Sequence, residues 1–404
     1  MENRFLLSII IPTKNRQEYA IKAVEQILQI NDNRLQIVIQ DNSDTQILSE
    51  MLAAFNEDDH IIYNYTEGII SFVDNFSLAV SLSDGEYICI IGDDDGVVPQ
   101  IVDVVDWAKK NSIDAIKPAL NAMYYWPNSE SVKNESDDGN MIIHKITCKS
   151  RIINPHKEIV KLLHNGCQKY LSLSLVKLYH GIVKKEMLDN IREVTGKYFG
   201  GLSPDIYIAV ALSLTVDKLI EIDFPLTISG VCNKSGSADS ATGKHTGKLE
   251  DAPHFRGHDG YNWSRLVPRF YSVETIWADS ALAAICDLNK MELLKEFDIN
   301  AFTEYCIKKH PQFKEIILTH YKIISLKYSN TKILVVYMKS AALDFFRRFI
   351  RKIKRRKTDI VNINGIENIL IAGDNLQKRL NDKSIDVKVV LNSLENTLKR
   401  YDKN

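Results

Sequence analysis

The strongest chemical signal in the sequence is a run of three carboxylates, Asp93, Asp94 and Asp95, directly after the apolar segment YICII and one glycine. Adjacent carboxylates repel one another unless a cation is close. Mg²⁺ and Mn²⁺ prefer oxygen ligands, and proteins commonly hold them with one or two carboxylates plus substrate phosphates. The triplet therefore predicts a divalent cation bound with a diphosphate. A solvated acidic turn before a helix is the alternative interpretation.

Two further polar clusters also follow apolar runs. Thr13 and Asn15 come after FLLSIIIP, and they could cap the next helix or contact a base and ribose. Asp41 follows LQIVIQ and could accept a hydrogen bond from a nucleobase imide or form a turn. Lys14 or Arg16 could pair with phosphate or lie on the solvated surface.

The elements that must position these clusters alternate between apolar, β-branched runs and amphipathic segments. Strands are predicted over residues 5–11, 35–40, 61–65 and 87–91. Helices are predicted over residues 16–30, 45–55 and 71–82. This alternation predicts an α/β fold with a doubly wound, mostly parallel sheet, in which ligands bind beyond the carboxyl ends of the strands. We therefore expect the three clusters to converge on one crevice.

The size and composition of the chain are those of a globular protein. Its 404 residues allow two domains, and its formal net charge of −1 favours no class of partner. Six scattered cysteines without a CxxC pair predict reduced thiols in a cytosolic protein. No run approaches the roughly 20 apolar residues of a membrane span.

A long polar stretch over residues 233–260 predicts a mobile loop, and loops of this length are usually functional lids or disordered. It contains His245, His254 and His258. One of them, with His245 as our candidate ligand, could reach the metal or the diphosphate when the loop closes. A solvated histidine is the alternative for each.

A basic amphipathic segment occupies residues 345–357, and the mostly apolar run 333–343 precedes it. Its composition is typical of a helix lying on an anionic membrane. A solvated helix between domains is the alternative, and no nucleic-acid motif accompanies the basic residues. In the tail beyond residue 359, residues 368–372 resemble a strand and a charged helix follows Asp386.

The segments SIIIPTKNR, VIQDNSD, NFSLA and YICIIGDDDGVVP, in this order, resemble family 2 glycosyltransferases of the GT-A fold over about the first 100 residues. The resemblance implies that Asp93 contacts the ribose, Asp94 binds the metal, and Asp95 orients the loop or binds through water. It also places Asn75 near the donor. It implies that four residues hold the nucleobase: Pro12, Thr13, Asn15 and Asp41. The commoner family pattern has an aspartate where this chain has Gly92.

The resemblance further implies transfer of a sugar with inversion, which needs a carboxylate that takes the proton of the acceptor hydroxyl. The segment GGLSPD ends at Asp205, which we select as this base because glycines and a proline precede a helix there. An ordinary helix start is the alternative interpretation, and Asp239 is the competing candidate.

The expected protein is thus a metal-dependent (Mn²⁺ or Mg²⁺) inverting glycosyltransferase. The resemblance implies a nucleotide-sugar donor, with a UDP-sugar as the family prior. It implies a glycan or polyprenyl-diphosphate-linked glycan acceptor in surface polysaccharide synthesis. We expect a cytoplasmic protein, peripheral on the inner face of the cell membrane, and no nucleic-acid partner.

We expect three regions along the chain. Residues 1–100 form the nucleotide-sugar-binding half of a GT-A domain, and residues 101–270 form its acceptor-binding half. Residues 271–404 form a helical C-terminal region.

Two other classes stay open. A nucleotidyltransferase would normally have a glycine-rich phosphate loop after the first strand, where this chain has PTKNR. A non-catalytic, membrane-associated relic of the same fold predicts a damaged metal site, whereas the carboxylate triplet is intact.

Overall fold

The computed structural model describes residues 4–55, 58–127, 139–232, 246–255, 260–325 and 360–401. The strands of these ranges are β1 Phe5–Thr13, β2 Leu35–Asp41, β3 Ile61–Tyr65, β4 Gly85–Ile90, β5 Gly96–Val97, β6 Ala115–Pro118, β7 Ala122–Tyr125, β8 Asn140–Ile143, β9 Ser150–Ile153, β10 Ile182–Lys184, β11 Leu219–Ile222, β12 Thr227–Val231, β13 Thr246–Gly247, β14 Tyr271–Ser272 and β15 Val361–Ile363. The α-helices are α1 Gln17–Leu28, α2 Ile47–Met51, α3 Phe72–Ser81, α4 Gln100–Lys110, α5 Pro155–His164, α6 Lys185–Thr195, α7 Pro204–Thr215, α8 Val273–Asp287, α9 Ile299–Lys309, α10 Lys314–Ser325, α11 Ile369–Asp382 and α12 Val387–Tyr401.

The central sheet has eight strands in the order β3-β2-β1-β4-β10-β6-β11-β9. Strands β3, β2, β1 and β4 are parallel, and β6 and β11 run in the same direction. Only β10 and β9, among the described strands of this sheet, run antiparallel to their neighbours. The α/β fold with a mostly parallel sheet is therefore confirmed.

Helices cover both faces of the central sheet because its strands are apolar on both sides. In β1 the buried Ile10 packs in the core that includes α5 and α7, whereas Ile9 and Ile11 pack in the opposite core with α1 and α4. This alternation makes the sheet doubly wound. The helix predicted over residues 45–55 is shorter than expected, since α2 ends at Met51 and a 3₁₀ turn follows over Ala53–Phe55.

A second sheet carries β5 and β12 close to the end of β4. Its strand order is β15-β8-β7-β12-β5, and β12 pairs antiparallel with β5, with Thr227 opposite Val97. Because β5 starts one residue after the carboxylate triplet, this pairing brings the end of β12 against the triplet.

The C-terminal residues 360–401 pack against the first half of the chain. Strand β15 extends the second sheet, α11 packs on α1, and α12 packs on α4 and β9. The strand-like interpretation of residues 368–372 is wrong: Asn368 accepts a hydrogen bond from the backbone N–H of Ile371 and starts helix α11. Its buried residues recur at helical spacing and end at Leu376 and Leu380. The expected division into three regions stays a prediction.

The packing of α11 predicts a large stability effect for a residue far from any proposed chemistry. Leu376 is fully buried in the core between α1 and α11. The change Leu376→Ala is expected to lower the free energy of unfolding by about 2–5 kcal/mol, because it leaves a cavity in that core. Urea unfolding measures this loss. The control is Val389→Ala on α12, where the side chain is 43% exposed and the stability should change little.

Within the described ranges, no helix combines the length and apolar character that crossing a bilayer requires.

Candidate functional site

The carboxyl ends of β1, β2 and β4 bring the three polar clusters together, as expected. Thr13 lies opposite Asp41 in the β1–β2 register. The hydroxyl of Thr13 donates to Oδ2 of Asp93 at 2.6 Å, which joins the first cluster directly to the carboxylate triplet. Pro12 precedes this threonine within β1 and lies opposite Gln40.

The loops after β1 and β2 are tied by Asn15. Its backbone has a φ of 57°, the left-handed conformation that asparagine tolerates better than most residues. Its N–H donates to the hydroxyl of Ser43 at 2.8 Å. Its side-chain amide donates to the carboxylate of Asp44 and accepts from the backbone N–H of the same residue, both at 2.9 Å. Asn15 therefore positions two loops, and its predicted contact with a nucleotide stays a prediction.

Asp41 is buried and forms the turn that the alternative interpretation described. Its Oδ1 accepts the backbone N–H of Ser43 at 2.8 Å, and its Oδ2 accepts the hydroxyl of Tyr63 at 3.0 Å. These bonds fix the carboxylate at the sheet edge. Its role towards a nucleobase stays a prediction.

Asp93 and Asp94 share a guanidinium. Nη2 of Arg16 lies 2.7 Å from Oδ1 of Asp93, and Nη1 lies 3.7 Å from Oδ1 of Asp94. The second oxygen of Asp94 accepts the backbone N–H of Cys232 at 3.1 Å. Burial raises the pKa of Asp93 to about 6 although Arg16 opposes it. Burial and the charge of Asp95 raise the pKa of Asp94 to about 7.

Asp95 fixes the loop that follows β4, because both of its carboxylate oxygens accept hydrogen bonds. Its Oδ2 accepts the backbone N–H of Gly92 at 2.6 Å and the hydroxyl of Tyr179 at 2.9 Å. Its Oδ1 accepts the backbone N–H of Gly230 at 2.6 Å, and Nε2 of His180 lies 3.3 Å from Oδ2. Since both oxygens already have partners, this geometry favours the loop-orienting role for Asp95 and leaves Asp94 as the better candidate ligand.

Gly92 stands where the commoner family pattern has an aspartate, and the structure has no room for a side chain there. A Cβ at this position would lie 2.7 Å from the hydroxyl of Tyr179 and 2.9 Å from Oδ1 of Asp94. The change Gly92→Asp is therefore expected to destabilise the protein by about 1–3 kcal/mol rather than to add a ligand. Thermal unfolding of the purified variant measures this. Gly247→Asp is the matched control, because a Cβ there meets nothing within 4 Å. Unchanged stability of the Gly92 variant would contradict the packing argument.

Asp205 lies at the start of α7, behind Pro204, and is half-buried. Burial raises its pKa, and the charges of Lys177 and His180 oppose that shift. The pKa of Tyr179 is raised well above its usual range by burial first, and then by the charges of Asp95, Asp94 and Asp205. Tyr179 and His180 therefore interact electrostatically with Asp205 and also contact Asp95 of the triplet.

Four residues of this environment carried little signal in the sequence: Tyr179, His180, Gly230 and Cys232. His180 is buried, with Nδ1 2.9 Å from the hydroxyl of Thr227. Gly230 contacts the triplet backbone, since a Cβ there would lie 1.8 Å from the carbonyl oxygen of Asp94. No local pattern identifies these contacts, because they join residues more than 80 positions apart.

The remaining predicted residues lie apart or outside the described ranges. Asn75 is buried on α3, and its Oδ1 has no hydrogen-bond partner among the described residues. His245, His258 and Asp239 lie outside the described residues, as does most of the expected loop 233–260. His254 is described, and its ring faces Phe72.

A second group of potential ligands lies at the opposite edge of the sheet. Asp58, Asp59 and His60 precede β3, and their ligand atoms lie within 4.8 Å of one another. It is the single such group of three found in the part of the chain that the structure describes. All three side chains reach the surface, and Asp59 pairs with Arg4. This group had not been singled out in the sequence, and it lies far from the ends of β1, β2 and β4.

The triplet fits a divalent cation by its chemistry. Asp94 offers hard oxygen donors, and its Oδ1 already faces a positive guanidinium rather than a backbone donor. The carboxylates stand at the sheet edge where ligands of doubly wound folds bind. Mg²⁺ or Mn²⁺ is therefore compatible with this donor set, and the geometry does not distinguish the two.

Comparison with known proteins finds a family match in the first third of the chain. Residues 8–136 match the family described as Glycosyl transferase family 2. This match covers the part of the chain that contains all three clusters.

Two curated relatives extend beyond this region. The chain is 26% identical over 199 residues to "Glycosyltransferase GlyG" of Streptococcus pneumoniae serotype 4, covering 48% of this chain and 62% of that protein. It is 26% identical over 246 residues to "Abequosyltransferase RfbV" of Salmonella typhimurium, covering 55% of this chain and 66% of that protein. The chain thus spans slightly less than two thirds of these relatives.

Among solved structures, the chain is similar to S. aureus TarS 1–349 in complex with UDP-GlcNAc. The two share 10% identity with a TM-score of 0.46, over 78% of this chain and 79% of that chain.

Proposed function

We propose that this protein is a glycosyltransferase that moves a sugar from a nucleotide-sugar, with a UDP-sugar as the first candidate, to a hydroxyl of a glycan acceptor. The observation that carries the proposal is the buried cluster of Asp93, Asp94 and Arg16 at the carboxyl edge of a family 2 domain. A cluster of opposite charges at this edge suits a ligand that combines a diphosphate with a cation.

The proposed donor site uses side chains that the fold already holds in place. Asp41 would accept a hydrogen bond from the base, next to Pro12, Thr13 and Asn15. Asp93, fixed by the hydroxyl of Thr13, would contact the ribose. Asn75 would face the donor from α3. These roles are the ones that the family resemblance implies.

The proposed cation site has Asp94 as its principal ligand. A divalent cation bound there would offset the charge that develops on the leaving diphosphate. Asp95 holds the loop so that Asp94 faces the donor, and Arg16 supplies a positive charge close to the phosphates. His245 stays a candidate ligand, and it lies outside the described residues.

The proposed reaction is a single displacement with inversion. The acceptor oxygen forms a bond to the anomeric carbon while the bond from that carbon to the diphosphate oxygen breaks. Asp205 accepts the proton of the acceptor hydroxyl, and the electron pair leaves with the nucleoside diphosphate. Asp205 lies half-buried at the start of α7.

The two alternatives have less support. The loop after β1 places Thr13 and Asn15 in contact with other protein groups, and it contains no glycine that would let a backbone wrap a triphosphate as a nucleotidyltransferase requires. A relic would tolerate loss of the triplet, whereas all three carboxylates are present and bonded.

The direct test is a screen of UDP-, GDP- and CDP-sugars with the full-length chain, in Mn²⁺, Mg²⁺ or EDTA. The proposal expects release of one nucleoside diphosphate that depends on the cation, and faster release when a glycan acceptor is added. Calorimetry with the three nucleotides checks binding separately. A protein that binds none of them and turns over no donor would contradict the proposal and favour the relic.

We also propose peripheral attachment to the cytoplasmic face of the membrane through residues 345–357, which would suit a polyprenyl-diphosphate-linked acceptor. The support is the basic amphipathic sequence, which lies outside the described residues. Each basic residue at an anionic surface contributes about 1 kcal/mol.

The membrane proposal predicts that neutralising four arginines in this segment weakens binding to anionic vesicles about 10-fold or more. The changes to glutamine are at Arg347, Arg348, Arg351 and Arg355. Sedimentation with vesicles containing phosphatidylglycerol measures the effect. A control variant neutralises four exposed lysines elsewhere: Lys109, Lys110, Lys157 and Lys383. Equal sedimentation of the arginine variant and the wild type would remove the membrane proposal.

A further inference from the structure

The side chain of Arg16 occupies the place between Asp93 and Asp94 that a cation would be expected to take. Its Nη2 lies 2.7 Å from Oδ1 of Asp93, and its Nη1 lies 3.7 Å from Oδ1 of Asp94. These two carboxylates are 0% and 3% exposed, so water screens them little. Among the described residues, no other lysine or arginine nitrogen lies within 4 Å of either carboxylate.

The other neighbours of Asp93 and Asp94 are neutral donors, and His180 lies 3.3 Å from Asp95 rather than beside these two carboxylates. Thr13 donates to Asp93, the backbone of Cys232 donates to Asp94, and Gly92, Gly230 and Tyr179 donate to Asp95. Arg16 therefore provides the single full positive charge that the described part of the chain brings onto Asp93 and Asp94.

We infer that Arg16 is a built-in counter-cation of Asp93 and Asp94, which competes with the divalent cation for Asp94 and moves to the diphosphate of the donor when that cation binds. This inference rests on the proposed function and specifies how the same site works. Two cations beside one buried carboxylate repel each other, so the guanidinium must move or the metal binds weakly. A diphosphate brings the negative charge that allows both cations to stay.

The position of Arg16 permits this exchange. It is the residue before α1, so its backbone is held while its long side chain has several rotatable bonds. Its side chain is 19% exposed, so it is not sealed inside the protein. Its Nη1 also lies 3.6 Å from the sulfur of Cys232 at the end of β12, a weak contact that a phosphate oxygen can replace.

The exchange couples the binding of the metal to the binding of the nucleotide, so that each ligand raises the affinity for the other. In the nucleotide-free protein, the guanidinium lowers the affinity for Mn²⁺. Once the diphosphate holds Arg16, that competition ends and the affinity rises. Thermodynamic linkage then requires Mn²⁺ to raise the affinity for the nucleotide by the same factor.

The test measures Mn²⁺ binding to the full-length, nucleotide-free protein by electron paramagnetic resonance at pH 8. The variant Arg16→Gln is expected to bind Mn²⁺ about 10-fold or more tightly than the wild type, because the competing charge is gone. The matched control is Arg34→Gln, which removes an arginine paired with Asp32 at the opposite edge and should leave the affinity unchanged. Addition of UDP should raise the Mn²⁺ affinity of the wild type about 10-fold, and that of Arg16→Gln much less.

An equal or weaker Mn²⁺ affinity of Arg16→Gln would overturn the inference. If circular dichroism shows that Arg16→Gln is not folded, the Mn²⁺ affinity of Arg16→Lys is measured instead. A lysine keeps the charge but cannot span both carboxylates. Its affinity should exceed that of the wild type, and equality would count against the inference. If the wild type shows metal-dependent donor turnover but the Arg16 variants have the same Mn²⁺ affinity as the wild type, only the role of Arg16 is excluded. Absence of turnover with any donor would remove the proposed function instead.

Discussion

Replacing Asp94 with asparagine is expected to reduce cation-dependent release of nucleoside diphosphate by about 10²–10³-fold, the loss seen when one group that stabilises developing charge is removed. The amide has nearly the shape of the carboxylate and can still accept the backbone N–H of Cys232 through its oxygen. The change therefore removes charge and a metal ligand while it preserves most of the packing of a buried residue.

The Asp94→Asn variant should also show whether the activity is lost because the metal no longer binds. Because the proposed ligand is gone, the Mn²⁺ dependence of donor turnover should largely disappear. The control Asp103→Asn changes an exposed aspartate on α4 and should keep wild-type rates. Thermal unfolding in EDTA checks that the variant is folded. A folded Asp94→Asn protein with wild-type, Mn²⁺-dependent turnover would show that the metal assignment is wrong.

Cation-dependent turnover at this site is expected to fall as the pH drops below neutral. Burial, first of all, raises the pKa of Asp93 to about 6 and that of Asp94 to about 7. Protons therefore compete with a cation for these oxygens as the pH falls from 8 to 6. Cation-dependent turnover is expected to rise with pH across this interval, and a higher Mn²⁺ concentration should shift the rise to lower pH.

The sequence was sufficient to locate the crevice because the relevant information is local. Each polar cluster follows its own apolar strand, and parallel strands place their carboxyl ends at one edge. The hydrogen bond from Thr13 to Asp93 confirms that convergence between residues 80 positions apart. Nothing beyond strand order and direction was needed to expect it.

The residue types alone could not assign separate roles within the triplet, and only the family resemblance implied them. Three adjacent aspartates are chemically equal until the fold supplies partners, and those of Asp95 come from Tyr179 and Gly230. The pairing of β12 with β5 creates that contact, and no periodicity predicts which distant strands pair. For the same reason the sequence left two roles open for Arg16, pairing with phosphate or lying on the solvated surface, and did not predict its salt bridge with Asp93.

The C-terminal residues illustrate a different limit. Residues 368–372 read NILIA, an apolar run that suits a short strand or the start of a helix. In the structure the side chain of Asn368 caps helix α11 by accepting the N–H of Ile371. The packing of α11 on α1 then depends on tertiary contacts that local pattern does not contain.

Replacing Asp205 with asparagine is expected to lower the rate of sugar transfer by about 10²–10⁴-fold, the usual contribution of a general base. The nucleotide and Mn²⁺ affinities should change little, because Asp205 lies on α7 whereas the proposed donor residues follow β1, β2 and β4. This separation of kcat from donor binding distinguishes loss of a base from a disturbed donor site.

The pH dependence of transfer gives an independent measurement of the same residue. Asp205 can accept a proton only when it is ionised, and burial raises its pKa against the opposing charges of Lys177 and His180. With saturating Mn²⁺ and donor, the acidic limb of kcat for transfer should lie above the range of an ordinary aspartate, and it should vanish in the residual activity of Asp205→Asn. Asp217→Asn, at an exposed aspartate just beyond the other end of α7, is the matched control and should keep the wild-type profile. An Asp205→Asn protein that transfers sugar at the wild-type rate would exclude Asp205 as the base and return attention to Asp239.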